Sequence, residues 1–498
     1  MQKITIAYGD GIGPEIMESV LQIFKNAEIN LDYNIIEVGK NIYKKGFNSG
    51  LMPSAWQDLE NSKILLKAPI TTPQGGGYKS LNVTLRRKLG LYANIRPIRS
   101  FYPFIKTNFE NMDLAIIREN EEDLYTGVEH RHSENSYQCL KIVTRQGCEK
   151  IVRFAFEYAV KNNRKKVSCF SKDNIMKITD GLLHEVFNDI AKDYPQIKND
   201  HHIIDIATAR VASKPQNFDV IVTTNLYGDI ISDVAAEISG SVGLAGSANI
   251  GQEYAMFEAI HGSAPDIANK DIANPSGLIQ ASIMMLNHIG LNDKASLIHN
   301  ALFKTIEDGI HTADIYQDNI SVKKVGTKDF TKAVIDNIGS KPVKLAKANF
   351  AKSDNKITNH NNKINNIKKN IAQEKTMIGF DLFIDYNNGL EQLIKDLKKL
   401  ESEIFEVKTI SCKGLLLWPV SDKHMIPNSI NGLLTLRVIA KNATEKVSNI
   451  IKDKNIAISH KDIIDILQYF TQNNLDFVKF EGLYHFNGKA GYCANQGE

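Results

Sequence analysis

The chain is poor in cysteine. Five residues in 498 (Cys139, Cys148, Cys169, Cys412 and Cys493) are odd in number and form no CxxC pair. That usage excludes a disulfide frame and points to reduced thiols in a cytoplasm. Charge excess is also missing. Sixty Lys and Arg against 57 Asp and Glu leave +3, too little to draw nucleic acid or an anionic membrane. No apolar run is long enough to cross a bilayer. The segment Met1–Tyr8 enters a strand pattern at once, so neither a signal peptide nor an Arg- and Ser-rich leader is expected. Absent too is the dinucleotide fingerprint. Gly9-Asp10-Gly11-Ile12-Gly13-Pro14-Glu15 follows the first strand and opens a helix, but its glycines lack GxGxxG spacing, and a plain strand–helix connection explains them equally well.

What is present is ordinary globular material, 43% hydrophobic and 23% charged, with length for two or three domains. Up to about residue 340 strand-like segments (4–8, 33–38, 64–68, 114–117, 141–143, 167–169) alternate with helix-like ones (15–26, 150–161, 279–289, 295–307). This is an α/β pattern. From 341 to 376 the composition turns Asn- and Lys-rich and polar, reading as a linker, with a frayed helix over 364–371 as the alternative. Beyond it, strands at 377–385, 406–410, 433–439 and 477–485 enclose helices at 390–400 and 459–473, the second with Ser459 as N-cap. The β-α-β-β-α-β order predicts a ferredoxin-like α+β domain over 377–498, and it carries no catalytic cluster.

The chemistry-bearing residues lie in the first part. Asn225-Leu226-Tyr227-Gly228-Asp229-Ile230-Ile231-Ser232-Asp233 follows the apolar run Val220-Ile221-Val222. On a helix, Asp229 and Asp233 share a face, where two carboxylates repel unless a hard cation such as Mg²⁺ or Mn²⁺ sits between them. A solvated helix face is the bland reading. Ser80, Asn82 and Arg86, then Arg96-Pro97, then Arg118-Glu119-Asn120 suggest guanidinium forks for carboxylates. Each Arg alone reads as a surface residue before it reads as a ligand. Tyr125 is a candidate proton donor and Lys177 a candidate base. Asp205 follows His201-His202 and is a candidate third carboxylate. The two His should point to opposite faces of their strand and not share an ion. His261-Gly262-Ser263-Ala264-Pro265-Asp266-Ile267, before Ala273-Asn274-Pro275, marks a shaped loop.

Together these motifs resemble the β-decarboxylating dehydrogenases, the isocitrate, isopropylmalate, homoisocitrate and tartrate/malate enzymes. The likeness covers residues 1–340 and rests on the order and spacing of Gly9–Glu15, Ser80–Arg86, Arg96-Pro97, Arg118–Asn120, Asn174–Lys177, Asn225–Asp233 and His261–Asp266. The resemblance implies a two-domain fold distinct from the Rossmann domain. Its large domain would take about 1–100 and 240–340, and its small domain about 101–239, with a dimer arm near 123–149. It implies that Arg86, Arg96 and Arg118 clamp substrate carboxylates and that Ser80 and Asn82 hold the γ-carboxylate of isocitrate. Isopropylmalate enzymes are apolar there, and unpaired donors disfavour an apolar group. Asp229 and Asp233, with Asp205 from a partner subunit, would hold Mg²⁺ or Mn²⁺. Lys177 from the partner would be the base, Tyr125 the proton donor, and the enzyme a homodimer. Thr72, His261, Gly262, Asp266, Ile267 and Asn274 would bind the nicotinamide coenzyme.

Asp266-Ile267 stands where NADP-preferring relatives carry Lys-Tyr. An Asp there accepts from ribose hydroxyls and repels a 2′-phosphate, so the residues favour NAD, although the extended bacterial relatives use NADP. The C-terminal extension resembles that of the Thermus and Rickettsia isocitrate dehydrogenases and is expected to form oligomers through sheet edges. The competing readings are homoisocitrate or isopropylmalate dehydrogenase and, in another class, a non-catalytic regulatory subunit.

Overall fold

The computed structural model describes residues 3–47, 49–73, 79–350, 373–386, 389–398, 405–420, 433–441 and 458–496. They form two units, one of residues 1–126 and 141–367 and one of residues 127–140 and 368–498.

The first unit is organised by one ten-stranded sheet. Its strands are β1 (Lys3–Ala7), β2 (Asp32–Ile36), β3 (Ile64–Lys67), β4 (Ala93–Arg99) and β5 (Asp113–Glu119). After the separate hairpin of β6 (Glu129–Arg131) and β7 (Tyr137–Cys139) come β8 (Lys166–Ser171), β9 (Lys198–Ile203), β10 (Val220–Thr223), β11 (Gly246–Ile250) and β12 (Ala255–Ala259). The spatial order is β2-β1-β3-β12-β11-β4-β5-β10-β8-β9. Both flanks pair in parallel, while the β12-β11-β4-β5 centre is antiparallel. The apolar runs Ile64-Leu65-Leu66 and Val220-Ile221-Val222 are buried throughout, as strands covered on both faces must be. Pro97 is tolerated because β11 pairs with β4 only through Ala93–Ile95, leaving Pro97 a strand neighbour on one side.

Two expectations shift. The strand at 141–143 is absent. Ile142 makes one isolated bridge to Asp123, because Thr144 caps a helix beginning at Arg145, its hydroxyl accepting from the Gly147 amide. That helix, Arg145–Lys161, starts five residues earlier than its apolar spacing suggested. The segment 341–350 packs on the first unit: the amides of Val343, Lys344 and Leu345 donate to the Glu307 carboxylate, and Leu345 is buried. The remainder of the polar segment, with the helix considered for 364–371, falls outside the described residues.

In the second unit six strands run in the order Leu415–Trp418, Phe405–Cys412, Leu434–Ala440, Lys375–Ile384, Phe477–Phe486, Lys489–Ala490, all antiparallel. The middle four have the 4-1-3-2 order of a ferredoxin-like sheet read backwards, and the short outer strands extend the two edges. Helices Leu390–Lys398 and His460–Gln472 bury Leu393, Leu397, Ile463, Ile466 and Phe470 in a core with Phe380, Leu382 and Leu436. A Cβ on Gly379 would collide with the Val438 carbonyl, so glycine permits this close strand pairing. Arg437 makes a bidentate pair with Asp381 at 2.9 Å. The β6–β7 hairpin belongs to this unit, with Lys479 Nζ donating to Gln138 at 3.1 Å. Among the described residues no helix is long and apolar enough to cross a membrane.

The Ser459 hydroxyl accepts from the Asp462 amide, and the Asp462 carboxylate accepts from the Ser459 amide, a reciprocal cap. Ser459→Ala is expected to lower the stability of the second unit by about 1 kcal/mol, read as a shifted urea midpoint for that unit.

Candidate active site

The antiparallel centre of the sheet and the helix Asn225–Ile238 enclose a polar cavity of 240 Å³ lined by Ser80, Asn82, Arg86, Arg96, Tyr125, Asp229, Asp233, Ser247, Glu258, His261 and Gly262. Motifs as far apart in the chain as Ser80 and Gly262 thus meet on one wall. Ser80 precedes the helix Leu81–Lys88, which points Asn82 and Arg86 inward one turn apart. Asp229 and Asp233 face them from the Asn225–Ile238 helix, as their i,i+4 spacing predicts.

Asp229 is the centre of the charge arrangement. Its Oδ1 accepts from Arg118 Nη1 at 2.5 Å and lies 3.0 Å from Arg96 Nη2, while Oδ2 accepts from the Tyr125 hydroxyl. Burial works to raise its pKa, but Arg118 and Arg96 overcome this and hold it below the usual carboxylate range. Asp233 is raised, first by burial and then by the neighbouring Asp229 charge, with Arg96 opposing at 3.8 Å. Two carboxylates of one helix face, open to a polar cavity, make an oxygen donor set that suits a hard divalent ion.

The three arginines differ in exposure to the cavity. Arg96 is braced by Asn94 Oδ1 at 2.6 Å and Ser232 Oγ at 2.5 Å. Arg118 lies behind the wall, fully buried, donating to the Asn225 carbonyl and side chain as well as to Asp229. Burial pushes it down to about 9, helped by Arg96 and Arg86, and it remains a cation at neutral pH. Its guanidinium lies 4.8 Å from the Tyr125 ring centre. Burial raises the Tyr125 pKa although Arg118 opposes it, so the hydroxyl keeps its proton. A Cβ on Gly228 would come within 2.5 Å of Arg118 Cγ. The glycine of the Tyr-Gly-Asp run is there to admit this arginine.

Sequence reasoning missed Lys67 and Glu258. They are opposed across the parallel β3·β12 pair, with Nζ–Oε2 at 2.6 Å. Glu258 also accepts from Arg86 at 3.0 Å and Asn249 at 2.9 Å. Burial alone would raise this carboxyl, but Lys67 and Arg86 hold it far below its ordinary range. The signal was available, since a Lys and a Glu each interrupt an otherwise apolar strand, and a buried charge needs a partner.

The remaining candidates are dispersed. Thr72 donates to Ser80 Oγ at 3.2 Å. Asn274 is buried and donates to Asp314, which also accepts from Ser241 and Thr312. His261 Nδ1 donates to the Gly262 carbonyl at 3.0 Å, which leaves the buried Nε2 as an acceptor without a protein partner among the described residues, open to a coenzyme at the cavity edge. Asp266 is exposed in the 3₁₀ turn Pro265–Ile267 that follows it in the loop. Lys177 and Asp205 do not reach the cavity. Both are exposed, and Asp205 pairs with Lys172 at 2.7 Å. His201 and His202 diverge as their strand alternation predicts. His202 packs edge-on to Phe170 and Phe218, while His201 meets Ser171 and stacks on His184. Asp173, His184 and His201 place ligand atoms within 4.8 Å of one another. The two rings are nearly parallel, 3.7 Å apart at 11°, so their lone pairs run side by side instead of converging on one ion, and Asp173 accepts from His184 at 2.7 Å instead.

Residues 3–334 match the isocitrate/isopropylmalate dehydrogenase family profile, and residues 375–498 match the C-terminal domain of bacterial isocitrate dehydrogenase. The chain is 56% identical over 496 residues, 99% of both chains, to a Rickettsia bellii protein named isocitrate dehydrogenase (NADP). It is 39% identical over 420 residues to a Thermus thermophilus protein of the same name, covering 84% of this chain and 83% of that one. A solved structure of a Thermus thermophilus protein superposes with a TM-score of 0.88 at 34% identity, covering 100% of this chain and 96% of that one.

Two outcomes are expected. Gly228→Ala should lose more to collision with Arg118, about 1–3 kcal/mol, than the ~1 kcal/mol it gains in helix propensity, measured as a lower unfolding midpoint. Glu258→Gln strands Lys67 and Arg86 as buried cations and should cost about 3–5 kcal/mol at neutral pH. Glu258 is depressed in the fold, so its stabilisation is complete above the unfolded value of 4.5 and fades as pH falls below it. The gap between wild type and Glu258→Gln, followed by urea unfolding against pH, should therefore narrow on acidification.

Proposed function

The chain belongs to the isocitrate/isopropylmalate dehydrogenase family, and on that premise we propose that it converts isocitrate to 2-oxoglutarate and CO₂ with reduction of NADP⁺, a reaction of the tricarboxylic acid cycle. The observation that carries the substrate assignment is the wall formed by Ser80 and Asn82 beside Arg86 and opposite Asp229. A polar wall of this kind suits a carboxylate and disfavours the isopropyl group of the alternative substrate.

Arg86 and Arg96 bind the substrate carboxylates directly, and Arg118 acts from behind by holding Asp229 and Tyr125 in place. Asp229 and Asp233 would hold a Mg²⁺ or Mn²⁺ ion, whose chemistry is Lewis acidity toward the substrate hydroxyl and the enolate left by CO₂. Tyr125, kept protonated, supplies the proton to the enolate carbon and is drawn to its place by Asp229. The nicotinamide ring, the hydride acceptor, would lie toward His261 and Gly262. Lys177 and Asp205 lie outside this cavity in their own chain, and the same residues of a second copy would supply the base and a third metal carboxylate in a homodimer.

For the coenzyme, the names of the Rickettsia and Thermus relatives support NADP, against the NAD expectation from Asp266-Ile267.

Initial rates with isocitrate and Mn²⁺ should show a higher kcat/KM for NADP⁺ than for NAD⁺. Asn82→Leu should lower kcat/KM for isocitrate about ten- to hundredfold through an unpaired carboxylate. A wild-type preference for 3-isopropylmalate or homoisocitrate would reject the substrate assignment, and absence of turnover with every 2-hydroxy acid would favour the regulatory-subunit reading.

A further inference from the structure

The strands that wall the candidate active site carry a second cavity on their other face. Along β4, β11 and β12, Arg96, Ser247 and Glu258 line the first cavity, while their neighbours Ile95, Pro97, Ala248 and Phe257 line the second. Alternate strand residues point to opposite faces, so the two cavities share a wall one sheet thick. The second is the larger, 740 Å³, within the range of small-molecule sites.

Its sides are two helix stripes. Phe154, Tyr158 and Lys161 recur at helical spacing on Arg145–Lys161, and Ile283, Met284 and Asn287 do so on Ser276–His288. Phe350 and His299 close one end, the imidazole tilted 33° against the Phe303 ring at 3.8 Å and edge-on to Phe350. The lining mixes this apolar surface with charge, Arg164 pairing with Asp113 and Asp219 and Glu157 standing beside Tyr158, and three buried polar atoms in it have no hydrogen-bond partner among the described residues: Asn287 Oδ1, His288 Nδ1 and His299 Nε2. His299 is 8% exposed. An orphaned polar atom at that depth is destabilising, and a bound group can remove that cost. Burial holds both imidazoles near a pKa of about 4, with Lys161 adding to His288 and Arg99 to His299. They are therefore neutral at pH 7 and present hydrogen-bonding edges instead of charges. At the mouth stand Lys161 and Lys165, both exposed. Lys161 has no carboxylate partner among the described residues and is shifted only by partial burial.

We propose that this cavity is a binding site for a small aromatic acid, its ring system between the two helix stripes, its N–H or O–H groups on Asn287 and the histidines, and its anionic group toward Lys161. The site is separate from the candidate active site and needs no assumption about the reaction there.

The probe is 8-anilino-1-naphthalenesulfonate, an aromatic anion that carries an N–H donor, titrated into the full-length protein and followed by fluorescence and calorimetry. Saturable binding of one probe per chain is expected. Lys161→Glu reverses the charge at an exposed position and so leaves the fold intact. His299→Leu keeps the ring's bulk approximately while removing its hydrogen-bonding edge. Each should weaken binding about tenfold, whereas Ser80→Asp, on the other face of the sheet, should leave it unchanged. Absence of binding, an affinity unchanged in either cavity variant, or a loss caused by Ser80→Asp overturns the proposal.

Discussion

The burial of charge at the centre of the sheet is the constraint on which the rest depends. Lys67, Arg86, Arg96 and Arg118 are all at least nine-tenths buried, and an unpaired ion in that position costs several kcal/mol. Glu258 answers the first two, and Asp229 the second two, with Asp233 within reach of Arg96. Counted with Lys67 and Arg118 behind the lining, four cations against three carboxylates leave the network as a whole one positive charge in surplus before any ion or substrate enters. A divalent ion at Asp229 and Asp233 would enlarge that surplus, and a tricarboxylate is the kind of molecule that neutralises it. The same network fixes geometry. Arg118 is wedged against Gly228 and braced by Asn225, so Asp229 and Tyr125 have little freedom to shift.

The topology explains why such a network can exist. A wholly parallel sheet would bury its centre under helices on both faces. Here the antiparallel strands β4, β11 and β12 sit in the middle, and the flanking helices stand back from them enough to leave a cavity on each face. Strand alternation then sends Arg96, Ser247 and Glu258 to one cavity and Ile95, Pro97, Ala248 and Phe257 to the other. The neutral histidines of the second cavity and the ion pairs of the first are products of one sheet with two differently solvated faces.

Much of this was legible in the sequence. The i,i+4 aspartates after Val220-Ile221-Val222 and the β-α-β-β-α-β order of the C-terminal unit follow from local periodicity, because period and burial are set by neighbours in the chain. The Ser459 cap was legible for the same reason. The strand at 141–143 was misread because three apolar-flanked residues carry no information about whether a pairing partner lies alongside. Arg118 looked equivalent to Arg96, although one stands behind the wall and the other in it. That difference arises from the Asn225 and Gly228 contacts more than 100 residues away.

The sequence by itself determined the alternation of elements, the family resemblance, and which residue types must gather for the chemistry, because spacing, charge and apolar pattern act over one or two turns. Tertiary structure alone decided the Lys67–Glu258–Arg86 cluster, the position of Arg118 behind Asp229, and the existence of a second cavity. Each depends on strand order and on register, β3 against β12 for the cluster, β5 against β10 for Arg118, and β4 against β11 for the cavity wall. Those pairings bring together residues too far apart in the chain for local periodicity to link them.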